Sequence, residues 1–291
     1  MSEQSHGAVY VATGTKAVRL FEVSAAHLRE VEPTLSIVVS TDEAHEERIR
    51  NLKIEDCEVQ VIEEPTFTFF DKPLALQRTP RDKAIYLDAD TIALRPFSKE
   101  IFEALDYVPI LARSDGIAFN LEWEYKDYPP AIPQFNSGVI AYRFPDTRPV
   151  FENWARLAAG MHTKKGGDQP YFRAACIEAG TIPSELSSHY NFQDNDAAVS
   201  PVRIRHFVYT KGIMLDAEKR ERHLKLIRTT PAPFRIFRDR IAYARGYFTH
   251  EFVIALLLTM VTQWRKRIRK SSKGFIRAIT GKATKKSSRR A

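Results

Sequence analysis

The sequence contains few cysteines, few glycines and no long apolar run. Its two cysteines, Cys57 and Cys176, lie far apart and neither belongs to a Cys-x-x-Cys pair, so we expect reduced thiols rather than a zinc or redox centre. The 12 glycines form no glycine-rich phosphate-binding loop. The most apolar stretch, Phe252–Val261, has about half of the roughly 20 residues that a membrane-spanning helix needs. It is therefore too short to cross a bilayer by itself.

Positive charge is concentrated near the C-terminus. The net charge is +8, and much of the excess follows Thr262. Residues 1–7 carry no lysine, arginine or apolar stretch, so we expect no signal peptide and a cytoplasmic location. A chain of 291 residues can bury a full core. We predict a catalytic domain over residues 1–230 and a basic helical appendage with a frayed tail over residues 231–291, with the boundary at Pro231 and Pro233.

Short apolar runs alternate with longer helix-compatible segments in the first part of the chain. The predicted strands are Ala8–Ala12, Leu35–Val39, Glu58–Ile62, Ala84–Leu87, Val108–Ala112 and Val139–Tyr142. The predicted helices are Ala17–Val31, Asp42–Leu52, Lys72–Gln77, Arg148–Ala159 and Asp168–Ala179. This order predicts an α/β fold whose mixed, mainly parallel sheet has helices on both faces. Residues 117–135 break both periodicities, and we expect them to form a long excursion that contacts the acceptor.

An apolar strand ending in two acids is the strongest single motif. Alternation of side chains along residues 83–91 predicts that Asp88 and Asp90 lie on one face, at the carboxyl end of the strand. Ligands of open α/β sheets bind at that edge. A Mg²⁺ or Mn²⁺ ion takes one or two carboxylates and completes its coordination with phosphate oxygens and water. The alternative is that both acids cap a turn and the helix that begins near Ser98.

Four segments, in order, resemble those of a known enzyme family. Tyr86–Thr91 resembles the Asp-x-Asp strand of GT-A glycosyltransferases, especially glycosyltransferase family eight. Phe135–Val139, Gly167–Gln169 and Arg205–Gly212 resemble three later segments of that family. The resemblance covers roughly Val9 to Gly212. It implies a GT-A type Rossmann-like fold. It also implies transfer of a sugar from a nucleotide diphosphate donor to a saccharide, lipid-linked or other acceptor. The donor is expected to be a UDP-sugar, and the sugar is expected to retain its anomeric configuration.

The resemblance also assigns roles to individual residues. It makes Asp88, Asp90 and His206 the ligands of a divalent metal, Mn²⁺ or Mg²⁺; a structural strand histidine is the alternative for His206. The donor-binding residues that it implies are Thr13, Lys72, Asp88, Asp115, Asn136, Ser137, Gly138, Lys211 and Gly212. Lys72 and Lys211 would face the diphosphate. The alternative for Lys72 is a solvated lysine at a helix start, and the alternative for Lys211 is a position in an exposed turn. The chain departs from the family pattern after Lys211, where Gly212 replaces the usual proline.

The family places an Asp-Gln segment beneath the reacting carbon. Gln169 is therefore the candidate for stabilising that centre, and Asp168 the candidate for positioning the substrate. The alternative for Asp168, which precedes Pro170 at the first turn, is a helix N-cap. Asp115 and the segment from Asn136 to Gly138 would line the sugar pocket, and the alternative is that they form turns.

The C-terminal residues combine aromatic, apolar and basic side chains. This composition favours attachment of residues 234–270 to an anionic membrane surface, at the inner face of the membrane. A helix packed on the core is the alternative, and no motif supports nucleic-acid binding. Two other functions stay open: a sugar-phosphate nucleotidyltransferase, which should carry a glycine-rich N-terminal loop, and a non-catalytic nucleotide-sugar-binding or membrane-scaffold protein.

Overall fold

A computed structural model describes residues 5–79, 81–115, 128–129, 131–159, 167–193 and 201–229. The strands are β1 His6–Ala12, β2 Ile37–Thr41, β3 Cys57–Val61, β4 Lys83–Asp88, β5 Thr91–Ala93, β6 Ile110–Ser114, β7 Phe135–Arg143, β8 Ser184–Glu185 and β9 Ile204–His206. The helices are α1 Gly14–Val31, α2 Glu43–Arg50, α3 Asp71–Leu76, α4 Ser98–Ala104, α5 Phe144–Ala159, α6 Gln169–Glu178, α7 Lys211–Leu215 and α8 Ala217–Thr229.

Seven of these strands form one mixed sheet in the order β3-β2-β1-β4-β7-β6-β8. The strands β3, β2, β1 and β4 are parallel, whereas β7 runs antiparallel to both of its neighbours. The carboxyl ends of β1, β2 and β4 therefore share an edge with the amino end of β7, as the pairing of Leu87 with Val139 shows. The predicted mainly parallel sheet is confirmed.

Adjacent residues of β1 and of β4 face opposite sides of the sheet, and helices cover both sides. On one side Tyr10 meets Phe21 of α1, with ring centroids 5.1 Å apart. On the other side Val9 and Tyr86 join a buried cluster to which α5 and α6 contribute Trp154 and Phe172, whose centroids are 4.7 Å apart. Burial of apolar surface on both faces accounts for the near-continuous apolar strands in the sequence.

The helix and strand boundaries differ from the predictions by a few residues, and three short strands are missing from them. The largest differences are at α5, which begins at Phe144 rather than Arg148, and at β7, which begins at Phe135 rather than Val139. The unpredicted strands β5 and β9 pair with each other in a separate two-stranded sheet, and β8 lies at the edge of the large one.

Several predictions concern residues outside the described part of the chain. Most of the excursion over residues 117–135 is among them, as is the whole predicted appendage over residues 231–291, so both stay predictions. Among the described residues, no helix has the length and apolar character needed to span a membrane.

Candidate metal and donor site

The two acids of the motif are brought together by a turn rather than by strand alternation. Strand β4 ends at Asp88, a two-residue turn carries Asp90, and β5 begins at Thr91. The Thr91 hydroxyl donates to the carbonyl of Asp88 at 2.8 Å, and the Phe207 amide donates to the carbonyl of Asp90 at 2.9 Å. These bonds hold the turn closed. The predicted placement of both acids on one strand face is therefore wrong in detail, although their convergence is confirmed.

The small sheet delivers His206 to the acidic pair. Strands β5 and β9 are antiparallel, and Thr91 is paired with His206. The Nε2 atom of His206 consequently lies 3.3 Å from Oδ1 of Asp90 and 3.7 Å from Oδ2 of Asp88. One possible ligand atom from each of these three residues lies within 4.8 Å of the others. A buried histidine and two carboxylates at such spacing are a donor set suited to Mn²⁺ or Mg²⁺.

A chain of amides orients the imidazole. The Nδ1 atom of His206 lies 3.1 Å from Oδ1 of Asn191, and the amide nitrogen of Asn191 donates to Oδ1 of Asn136 at 2.8 Å. That same oxygen accepts the backbone N–H of Gly138 at 3.0 Å. Because the Asn191 oxygen accepts a hydrogen bond, the proton of a neutral His206 belongs on Nδ1, which leaves the Nε2 lone pair facing the carboxylates.

Gly138 makes room for the imidazole ring. A Cβ at this position would lie 2.0 Å from Cε1 of His206 and within 3 Å of both ring nitrogens. Glycine is thus required by close approach, and its φ is not positive. The three potential ligands, the amide chain and this space together fit a divalent ion held at the edge of the sheet.

Lys211 forms an ion pair with the second acid of the motif. Its Nζ atom lies 2.6 Å from Oδ2 of Asp90, whose side chain is 3% exposed. Burial disfavours the ionised form of Asp90, but the protonated form of His206, which can donate from Nε2, and the ammonium group of Lys211 outweigh it and hold the pKa of Asp90 well below its ordinary value. The exposed-turn alternative for Lys211 is wrong, because its ammonium group is directed at the carboxylate.

Lys72 connects the Asp-x-Asp turn to the segment that contains Asp168. Its Nζ atom lies 2.9 Å from Oδ1 of Asp88, 3.0 Å from Oδ2 of Asp168 and 3.1 Å from Oγ of Ser137. The side chain is 5% exposed, so the alternative of a solvated lysine is wrong. Burial disfavours the charged amine, but the two carboxylates outweigh it and raise the pKa of Lys72 above its ordinary value.

Asp168 and Gln169 lie at the beginning of α6, as predicted, but Asp168 does not act as a side-chain cap. Its backbone occupies the N-cap position, whereas its carboxylate accepts a hydrogen bond from Ser137 at 2.8 Å and pairs with Lys72. The buried Gln134 donates to the side-chain oxygen of Gln169 at 3.1 Å. The carboxylate of Asp168 therefore contacts Ser137 and Lys72 and does not bind the amide groups at the helix terminus.

Asp115 lies close to this cluster, because its carboxylate interacts with Asn136 and His206. It follows β6, and the Gln193 amide lies 3.5 Å from its Oδ1 atom. Burial raises its pKa to about 6, against the opposing effects of Arg113, Gln193, Asn136 and His206. Asn136 interacts with both Asp115 and Asn191, so the turn-forming alternative is wrong for Asn136, which lies in β7.

The fold of this chain resembles those of solved structures. No family model and no curated protein matches the sequence. Among solved structures, the galactosyltransferase LgtC in complex with donor and acceptor sugar analogues has a TM-score of 0.55 at 15% identity, covering 77% of this chain and 96% of its own. The glycosyltransferase GlyE of Streptococcus pneumoniae TIGR4 has a TM-score of 0.51 at 14% identity, covering 78% of this chain and 65% of its own. The bifunctional WbbM has a TM-score of 0.50 at 13% identity, covering 78% and 52%.

This chain has the GT-A fold. At such identities the likeness establishes the fold alone, and the finer resemblance to family eight stays a prediction. LgtC has also been solved as an active-site variant in which a glutamine is replaced by glutamate.

A cleft of about 660 Å³ lies at the carboxyl edge of this GT-A sheet, where Asp88 and Asp90 form part of its lining. Five predicted site residues line it, namely Thr13, Lys72, Asp88, Asp90 and Lys211. The other predicted site residues are not among the described residues that line the cleft: Asp115, Asn136, Ser137, Gly138, Asp168, Gln169, His206 and Gly212. Gly212 lies in the first turn of α7, where an added methyl group would meet open space. The cleft thus contains the two acids of the motif and both lysines, whereas His206 and the predicted sugar-binding residues are not part of its lining.

Sequence reasoning missed four kinds of contact in this GT-A site. Tyr86 donates to Oδ1 of Asp88 at 2.5 Å, and strand alternation two residues before Asp88 could have indicated this. The buried Asp71 accepts a hydrogen bond from Thr13 at 2.5 Å. No pattern in the sequence indicates that Asn191 contacts His206. Similarly, no pattern indicates that Phe67 and Phe69 are exposed at the cleft.

Proposed function

We propose that this protein is a metal-dependent glycosyltransferase that moves a sugar from a nucleotide diphosphate donor, with UDP as the expected nucleotide, to a saccharide or lipid-linked acceptor. One observation carries the proposal. Asp88, Asp90 and His206 converge within 4.8 Å at the carboxyl edge of a GT-A sheet, beside two lysines in the same region. Three solved structures with similar folds, LgtC, GlyE and WbbM, are glycosyltransferases, and LgtC was solved in complex with donor and acceptor sugar analogues.

Asp88, Asp90 and His206 would hold the divalent ion, Mn²⁺ being the preferred candidate because one ligand is an imidazole. When bound, the ion would act as a Lewis acid that offsets negative charge on the diphosphate. The hydrogen bond from His206 to Asn191 orients the free imidazole nitrogen towards the carboxylates.

The charge balance of the cleft suits a diphosphate. Among the described residues, the carboxylates of Asp88, Asp90 and Asp168 form ion pairs with two ammonium groups, those of Lys72 and Lys211, while the neighbouring His206 is taken as neutral. This cluster has one excess negative charge, which repels a polyanion. A divalent cation would make the cluster net positive, and the lysines would then be free to stabilise the charge that grows on the departing diphosphate. This charge balance supports the proposed requirement for the metal.

Gln169 is the candidate for the polar face beneath the reacting carbon, and retention of configuration is part of the proposal. Its side-chain oxygen accepts a hydrogen bond from the buried Gln134, which restricts its orientation. Asp168, fixed by Lys72 and Ser137, would position the substrate. A glutamine also belongs to the active site of LgtC, which supports this assignment. Asp115, with Asn136 and the neighbouring Ser137 and Gly138, would bind the hydroxyl groups of the donor sugar.

The acceptor and the location are further parts of the proposal. Residues 117–135 would contact the acceptor, and the basic residues 231–291 would hold the enzyme at an anionic membrane on its cytoplasmic side. Such a placement suits a lipid-linked acceptor.

A donor screen tests the proposal. The protein is incubated with UDP- and GDP-sugars in the presence of Mn²⁺ or EDTA, and release of nucleoside diphosphate is measured. We expect release with at least one donor, dependent on Mn²⁺ and abolished by Asp90→Asn. Glu103→Gln is the matched control, because it also removes one carboxylate charge but lies on the exposed face of α4, paired with Lys99. Donor binding without release, unchanged by Asp90→Asn, would favour the non-catalytic alternative.

A further inference from the structure

Two phenylalanines are exposed where the cleft opens. The residues Phe67 and Phe69 are 61% and 49% exposed, and both line the cleft. An aromatic side chain in water leaves a large apolar face uncovered, and such faces beside a cleft commonly contact a ligand. The two rings are the largest apolar surfaces that the cleft lining presents to solvent among the described residues.

The backbone that presents Phe67 is strained and firmly held. Its φ is +56°, a left-handed conformation that is unusual for a bulky residue and that costs free energy. The buried carboxylate of Asp71 accepts the amide N–H groups of Thr66 and Phe67 at 2.6 and 3.0 Å, and the Thr13 hydroxyl at 2.5 Å. These bonds fix the segment to the end of β1. The ring is thus held at the cleft by a buried polar group instead of packing into the core.

The position of Phe67 distinguishes it from Phe69. A Cβ on Gly14 would lie 3.5 Å from Cδ1 of Phe67, so this ring lies over the junction of β1 and α1. The ring of Phe69 instead lies with its centroid 5.5 Å from Nζ of Lys72 and 5.7 Å from Nζ of Lys211. Phe69 therefore lies beside the ammonium groups of Lys72 and Lys211, whereas Phe67 lies beside the first residue of α1.

We propose that the ring of Phe67 is the surface on which the base of the nucleotide donor stacks. This inference rests on the proposed function. A diphosphate held by the metal ligands and lysines directs its sugar towards Asp168 and Gln169, which leaves the junction of β1 and α1 for the nucleoside. Every base has a flat π face, so stacking on Phe67 supplies affinity with little choice between bases.

Calorimetric titration of UDP, GDP and inorganic pyrophosphate in Mn²⁺ tests this inference. Pyrophosphate has the two linked phosphates of UDP and GDP but no base. We expect Phe67→Leu to weaken UDP and GDP binding by about 5- to 160-fold, which corresponds to the about 1–3 kcal/mol that base–aromatic stacking contributes per base. Pyrophosphate affinity should stay unchanged. Phe67→Tyr, which keeps the ring, should bind all three ligands within about twofold of wild type, and a thermal melt of each variant tests folding independently.

The outcomes separate this inference from the proposed function. Equal UDP affinity in wild type and Phe67→Leu would overturn the inference even if the wild type transfers sugar, and so would an equal loss of pyrophosphate affinity. Wild-type protein that releases no diphosphate from any sugar nucleotide, yet binds UDP more weakly after Phe67→Leu, would overturn the enzyme function and leave the stacking surface supported. Wild type that binds UDP no more tightly than pyrophosphate would overturn the stacking surface.

Discussion

Replacing Gly138 by alanine should displace His206, the proposed metal ligand. The added methyl carbon would lie 2.0 Å from Cε1 of the imidazole, whereas carbon atoms in contact are about 3.5–4.0 Å apart, so the ring or strand β7 must move by more than about 1 Å. Neither moves freely, because Asn191 holds the ring and β7 is paired on both sides. A misplaced ligand should lower Mn²⁺ affinity by about 10- to 100-fold, and overpacking should lower the unfolding free energy by about 1–3 kcal/mol.

A double-mutant cycle shows whether the loss acts through the imidazole. Mn²⁺ titration, followed by electron paramagnetic resonance of the free ion, is performed on Gly138→Ala, His206→Ala and the double variant. With the ring gone the methyl group has space, so Gly138→Ala should have little further effect in the His206→Ala background. Gly212→Ala is the size-matched control for metal binding, since its methyl group meets no atom within 4 Å. Wild-type Mn²⁺ affinity in Gly138→Ala, or an undiminished loss in the His206→Ala background, would refute this reasoning.

Three other substitutions test separate parts of the site. Lys72→Met should lower the unfolding free energy, measured by denaturant titration, by about 3–5 kcal/mol, because it leaves two buried carboxylates unpaired. The control Lys99→Met breaks an exposed ion pair and should change the unfolding free energy little. Equal effects of the two substitutions would contradict the buried network. Burial raises the pKa of Asp115 to about 6, above its unfolded value, so the folded state loses stability as pH rises from about 4 through about 6. Asp115→Asn should therefore be more stable than wild type at about pH 7.5 and gain nothing at about pH 4, and an equal gain at both would contradict this. Asn191→Leu should lower Mn²⁺ affinity by about tenfold while Asp88 and Asp90 remain, and unchanged affinity would show that the amide does not orient the imidazole.

Local patterns predicted the large sheet well. Apolar runs such as those of β1 and β4 are buried on both faces, and their alternation with amphipathic helices indicated parallel order. Asp88 at the end of β4 and Asp90 in the turn after it were found because two acids that follow a buried apolar run have few purely structural roles. The strands β5 and β9 were missed because three-residue strands carry no periodicity. Without them, no physical argument from the sequence alone could bring His206 to Asp90; the family resemblance supplied that pairing.

The partners of the charged residues were not predictable from local sequence. Lys72 looks like a surface residue at a helix start, yet its contacts with Asp88 and Asp168 span long stretches of chain. Asn191 contacts Asn136 across 55 positions, and only the folded sheet brings them together. Burial of a charge depends on such tertiary partners, which a pattern of neighbouring residues does not encode.

The most direct measurement is calorimetric titration of UDP with Mn²⁺ and, separately, with EDTA. We expect UDP to bind at least about tenfold more tightly with the metal, which corresponds to about 1.4 kcal/mol. Asp90→Asn and His206→Ala should lose that gain, and Glu103→Gln should keep it. The same UDP affinity in Mn²⁺ and in EDTA would contradict the claim that Asp88, Asp90 and His206 hold a cation for a diphosphate.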